Sequence, residues 1–107
     1  MTAPQRELRL PPAPRGQTVE LLYRTFGDVL APVDQVRARY FRNLNDDNFT
    51  RAINAGRVPL PVTSLDTSAK APKFVDIRHL AIFIDTQADA ADTALTDAIS
   101  PPANTDH

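Results

Sequence analysis

The side chains with most chemical content lie close together: Asn48, Thr50, Arg51 and Asn54, followed by Arg57 and, further on, Lys70 and Lys73. Arginine pairs with guanine, asparagine with adenine, and a threonine methyl meets the thymine methyl, so these are the types that read base edges in a DNA major groove. Arg37, Arg39 and Arg42 precede them, and with Arg57, Lys70 and Lys73 they suit phosphate oxygens. Asn48, Thr50, Arg51 and Asn54 are therefore candidate base contacts, and the six cations are candidate DNA backbone contacts. The plain alternative is that any soluble helix exposes such residues.

No other chemistry assembles. The histidines are His79, which reads as a surface helix residue, and His107, the last residue; neither has a partner at metal-ligand spacing. Ser64, Ser68 and Ser100 fall in polar stretches without a nucleophile-elbow context. Three glycines in the whole chain cannot build a phosphate-cradling loop. Without cysteine there is no disulfide framework, thiolate zinc site or cysteine nucleophile. Asp46 and Asp47 are explained by helix capping. Neither an enzyme activity nor a metal or cofactor is expected.

The chain has 107 residues, enough for one domain, with 42% hydrophobic and 23% charged residues, an ordinary globular balance. No apolar run approaches the ~18 residues of a membrane-spanning helix, and no secretory leader is visible, so a cytoplasmic protein is expected. The net charge is only −1, but it is unevenly spread. Residues 37–78 hold eight cations against four acids, whereas residues 86–107 hold Asp89, Asp92, Asp97 and Asp106 and no lysine or arginine. A basic middle beside an acidic tail suits specific DNA binding with its non-specific part held down.

Elements must position these groups. Residues 1–16, with Pro4, Pro11, Pro12 and Pro14, read as a disordered or polyproline-like arm, whose Arg6, Arg9 and Arg15 either touch phosphates or are simply solvated. Val19, Leu22, Tyr23 and Phe26 form one helical face that Gly27 ends, with Gln17 or Thr18 at its start. Residues 27–32 read as a loop with Val29 and Leu30 tucked inward. A second helix is expected over residues 33–42, with Val33, Val36, Tyr40 and Phe41 inward and Pro32 harmless at its first turn.

Asn43, Leu44 and Asn45 form a turn, with Leu44 as an apolar plug and Asn45 as cap of a third helix over residues 46–55. Phe49, Ala52 and Ile53 are its core face and Gly56 its terminator. Residues 57–63 alternate, with Val58, Leu60 and Val62 on one face and Pro59 and Pro61 on the other, which predicts an edge strand. A polar loop over 64–72 and a return strand over 73–75 complete a hairpin. Asp76 caps a fourth helix, inward through Ile77, Leu80, Ala81 and Ile84. Ile77, Ala81, Ile84, Ala88, Ala91, Leu95 and Ala98 continue at heptad-like steps, a seam through which a homodimer could form, until Ser100, Pro101 and Pro102. The expected fold is mainly α with a small β-hairpin, a winged helix-turn-helix DNA-binding domain over residues 17–86. An Ala/Asp-rich helical extension or tail follows over 87–107.

Several stretches resemble the pyocin activator PrtN family of bacterial and prophage transcriptional activators: LLYRTFG, PVDQVRARYFRNL, a helix ending in AG, RVPLPV, and KFVDIRHLAIFID. The resemblance runs over residues 21–85. Its most specific parts are Tyr40 with Phe41, Gly56 ahead of Leu60 and Pro61, and Leu80-Ala81 with Ile84-Asp85. More loosely the pattern is similar to excisionase and AlpA-like winged helices. The resemblance implies a non-enzymatic, sequence-specific DNA-binding activator of bacteriocin or prophage genes, recognising repeated boxes in double-stranded DNA. RNA polymerase is then a possible partner, and a membrane is not. This chain departs in its proline-rich arm, its long tail, and Ser68-Ala69-Lys70 where the family tends to Ser-Gln-Lys. Two other readings remain: an excisionase-like architectural factor that bends DNA, and a small protein-interaction adaptor from a mobile element.

Overall fold

Helix α1 (Gly16–Phe26) forms where Val19, Leu22 and Phe26 share one stripe, and Leu22 is the residue it buries fully. It belongs to a computed structural model that describes residues 13–99. Tyr23, expected on the same inward face, stays half exposed because it lies at the edge of that stripe. Gly27 ends the helix at φ 78°, with its N–H returned to the Tyr23 carbonyl at 2.7 Å. The expectations for the arm before Ala13 and for the end after Ile99 lie outside the described residues.

The segment expected as a loop contains strand β1 (Leu30–Pro32). Turn residues Gly27, Asp28 and Pro32 hide it in the sequence, and its ladder comes from a distant partner, β3 (Lys73–Asp76). The pairing is antiparallel, Leu30 opposite Asp76, Ala31 opposite Val75 and Pro32 opposite Phe74. Ala31 and Val75 are both completely buried, while Val29, expected inward, is exposed. A third strand, β2 (Thr63–Ser64), pairs with the other edge of β3, so β3 is central in the order β1-β3-β2. A three-stranded sheet thus replaces the expected two-stranded hairpin.

Helix α2 (Val33–Tyr40) starts directly after Pro32 and stops two residues short of the expected end. Phe41 leaves helical geometry at ψ 47° while its N–H still reaches the Arg37 carbonyl at 2.8 Å. Val36 is fully buried; Tyr40, expected inward, is largely exposed and packs its ring against Phe26 with centroids 6.4 Å apart.

Helix α3 (Asp46–Asn54) follows a five-residue connection, and Asn45 caps it by accepting the Asn48 N–H on its side chain at 2.8 Å. Phe49 and Ala52 are buried in the core, and Phe49 stacks on Phe41 with centroids 4.8 Å apart. Gly56 terminates the helix at φ 78°. Its N–H bonds the Ile53 carbonyl at 3.1 Å and the Val58 N–H bonds the Ala52 carbonyl at 3.1 Å, which turns the chain sharply back.

The expected edge strand over residues 57–63 is reduced to its last residue. Pro59 and Pro61 have no N–H, and the Leu60 N–H is spent locally on the Val58 carbonyl at 2.8 Å, a three-residue turn around Pro59. Val58 and Leu60 still anchor this stretch in the core, whereas Val62 is exposed.

Helix α4 (Ile77–Ile99) begins as expected at Asp76, whose carboxylate accepts the Arg78 N–H at 2.8 Å. Ile77, Leu80 and Ala81 are buried beside Val36, Phe49 and Val75, completing one small core. The helix runs unbroken through residue 86 and on to Ile99, and every residue from Asp89 to Ile99 is exposed. Among the described residues no helix is long and apolar enough to cross a membrane.

Candidate nucleic-acid interface

Each residue of an α-helix turns the chain by about 100°. On α3 that places Phe49 and Ala52 inward and Asp47, Thr50, Arg51 and Asn54 together on the opposite side, all exposed. Asn48 is also exposed, but it lies roughly 110° around the helix from the centre of that face. Its backbone N–H is held by the cap. Asp47, outward by its spacing but assigned to helix capping rather than to a contact, stands in the middle of the open face. A first-turn carboxylate satisfies the helix dipole and can also accept from a cytosine amino group.

The face is continuous with the sheet. Thr50, Ile53 and Asn54 of α3, Val33 of α2, Val62, and Lys73 of β3 line one shallow cleft. A neighbouring depression joins Thr50 and Lys73 to Asp34, Arg37 and Asp46. The fold therefore brings Thr50, Asn54 and Lys73 together. Lys70 lies in the exposed loop between β2 and β3, and Arg57 is exposed just after α3. Arg39 is elsewhere, beside Thr25, Phe26 and Gln35 at the α1–α2 junction, where its guanidinium sits 6.0 Å from the Tyr40 ring. Arg42 is exposed in the turn.

Arg37 has an internal task. Its Nη1 donates to the Leu44 carbonyl at 2.9 Å, and its Nε lies 2.7 Å from Asp46 Oδ1. The second approach is off the N–H direction, so it is an ion pair rather than a hydrogen bond. One side chain from α2 thus grips both the turn and the first residue of α3, fixing the angle at which α3 is presented.

Two further features were not foreseen. Asp85, within an otherwise apolar stretch of α4, is buried. It accepts the Arg15 backbone N–H at 2.8 Å and the Thr18 hydroxyl at 2.7 Å, so one helix supplies the missing N-terminal cap of another. The Arg15 N–H holds its carboxyl below the ordinary range, with Thr18 and the Arg15 charge adding to this against the opposing effect of burial. Arg15 also pairs with Asp89, so its charge faces α4. His79, expected on the surface, is half buried beside Pro59, Pro61, Ile82 and Phe83, and its Nδ1 is enclosed without a hydrogen-bond partner among the described residues.

In architecture this is a small, mainly helical domain with a three-stranded antiparallel sheet. It belongs to the family described as Pyocin activator protein PrtN, which it matches over residues 18–91. No curated protein and no solved structure matches the chain. The matched span contains α1 from Thr18 on, α2, α3, the whole sheet and the packed part of α4, and with them Asn48, Thr50, Arg51 and Asn54 and the six cations from Arg37 to Lys73. The family is one of regulatory activators of pyocin genes.

Proposed function

We propose that the protein is a sequence-specific DNA-binding activator of pyocin or related prophage genes, and that its fold acts as a winged helix-turn-helix. In this reading α2, the Arg37-clamped turn and α3 are the helix-turn-helix, and the segment from β2 to β3 is the wing. The order helix, strand, helix, helix, strand, strand, with the last strand central, supports that assignment. The observation that carries the proposal is the open face of α3, Asp47, Thr50, Arg51 and Asn54, continuing into a cleft shared with Lys73.

A recognition helix reads bases mainly through its N-terminal residues, while flanking cations hold the phosphates. Arg51 would pair with guanine, Asn54 with adenine, and Thr50 would meet a thymine methyl. Asn48, at the margin, would contact a base at the groove edge. Arg57, Lys70 and Lys73 would take phosphates on the wing side, and Arg39 and Arg42 on the α2 side. Arg37 belongs to the positioning of α3. Two copies would place their α3 helices on half-sites about 34 Å apart, and activation adds a contact with RNA polymerase.

Selection of bound duplexes from a random pool tests the reading. A defined consensus should emerge. Lys70→Ala should weaken binding to all duplexes alike and reduce the salt slope by about 0.9. A pool that stays random after repeated rounds, with no salt-dependent retention, would show that the face is not a DNA reader.

A further inference from the structure

Asp47 stands where a DNA-reading surface has least use for a negative charge. Counted at about 100° per residue from the core-facing Phe49 and Ala52, it falls inside the open face of α3. Thr50 and Asn54 lie to one side of it and Arg51 to the other.

Two other groups already serve the start of this helix. Asn45 caps it by accepting the Asn48 N–H at 2.8 Å, and Asp46 supplies a first-turn carboxylate that Arg37 Nε approaches at 2.7 Å. Asp47 is in none of the ion pairs among the described residues, although Arg51 stands one turn on. Its charge is therefore open to whatever meets the face.

Opposite DNA, an open carboxylate selects by exclusion. It repels phosphates, and it meets acceptors on guanine (N7 and O6) and on thymine (O4). Adenine offers its N6 amino group beside the N7 acceptor, whereas cytosine offers the N4 amino group alone. An acceptor pressed against an acceptor leaves both desolvated and unpaired, which is how a wrong partner is rejected. Cytosine is the base edge that Asp47 can meet without such a clash. Side chains four residues apart on a helix have Cβ atoms about 5–6 Å apart, and base pairs stack at about 3.4 Å. Asp47 and Arg51 thus address positions no more than two base pairs apart.

We infer that Asp47 is a specificity-determining residue: it requires a cytosine within two base pairs of the guanine read by Arg51 and holds down binding to other sequences. The inference rests on the DNA-binding reading and deepens it. One face then carries an attracting reader, Arg51, and an excluding one, Asp47.

Selection from a random duplex pool is run in parallel on the full-length wild type, Asp47→Asn and Asp47→Ala. Asp47→Asn keeps the size of the side chain, so the test survives if Asp47→Ala loosens the first turn. The wild-type consensus should hold a cytosine within two base pairs of the position that Arg51→Ala ceases to distinguish. Asp47→Asn should exchange that cytosine for adenine, the base an asparagine amide pairs with. Asp47→Ala should accept any base there, losing a preference of roughly 5–150-fold while the rest of the consensus stays. It should also bind an unrelated duplex more tightly, the opposite sign to Lys70→Ala.

A consensus unchanged in both variants would reduce Asp47 to a helix-dipole group and overturn the inference, with the DNA-binding reading intact. Loss of preference at every position at once would also overturn it, assigning Asp47 to the presentation of α3. A wild-type pool that stays random overturns the DNA-binding reading itself, and the inference with it.

Discussion

At the residue scale, the most constrained charges serve the scaffold. Asp85 closes the start of α1 from a position 70 residues away in sequence, through the Arg15 N–H and the Thr18 hydroxyl. Replacing it with alanine leaves those donors unsatisfied and should cost about 1–3 kcal/mol in chemical denaturation. Its carboxyl is held below its ordinary value, as is that of Asp76, chiefly by the Arg78 side chain. A depressed folded pKa contributes stability that is present above the unfolded carboxyl value of about 3.9 and is lost as pH falls through the lower folded value. The melting temperature should therefore drop below about pH 4. Asp85→Asn should flatten that acid limb while lowering stability at neutral pH; an unchanged limb would mean that Asp85 is not the group responsible. Sequence alone could not show this cap. An aspartate after Ile84 reads as one polar step on an amphipathic helix, and its partners are set by how α1 meets α4.

At the element scale, what was legible is what is decided locally. Asn45 and Gly56 mark the ends of α3 within a residue, because a cap and a left-handed terminator act on neighbours in the chain. Asp76 likewise announced α4. Gly56→Ala tests the logic: a Cβ there would meet open space, so the penalty comes from φ 78° alone. It should be about 1–2 kcal/mol, read as a lower denaturation midpoint with unchanged slope. A neutral result would show that the turn relaxes without cost. What was illegible depends on partners far away. β1 is three residues among turn formers and exists because β3 offers it a ladder. Residues 57–62 alternate like a strand, but Pro59 and Pro61 remove the donors and Leu60 turns back on Val58. Tyr23, Tyr40 and Val62 fit the apolar periodicity and still lie outside, since periodicity cannot tell where a small core ends.

At the scale of the whole molecule, the four largest fully buried side chains, Phe49, Leu80, Val36 and Val75, join α3, α4, α2 and the sheet in one core. Phe49→Ala removes the largest of them, directly beneath the candidate reading face. A loss of about 3–5 kcal/mol is expected, a large part of the 5–15 kcal/mol typical of a domain, so the variant should be largely unfolded by circular dichroism at 37 °C. A folded variant would mean that the core is redundant around Phe49. The same arrangement separates two kinds of change. Substitutions at Thr50, Arg51 and Asn54 touch exposed atoms and should leave stability nearly unaltered while changing what is bound.

That separation gives the most direct measurement. Wild type and Arg51→Ala are titrated against the duplex selected by the wild type and against versions with each base pair changed in turn. Arg51→Ala should melt like the wild type, bind the selected duplex more weakly by about 1–3 kcal/mol, and no longer distinguish the base at one position. If Arg51→Ala keeps the full preference at every position, α3 is not the element that reads DNA.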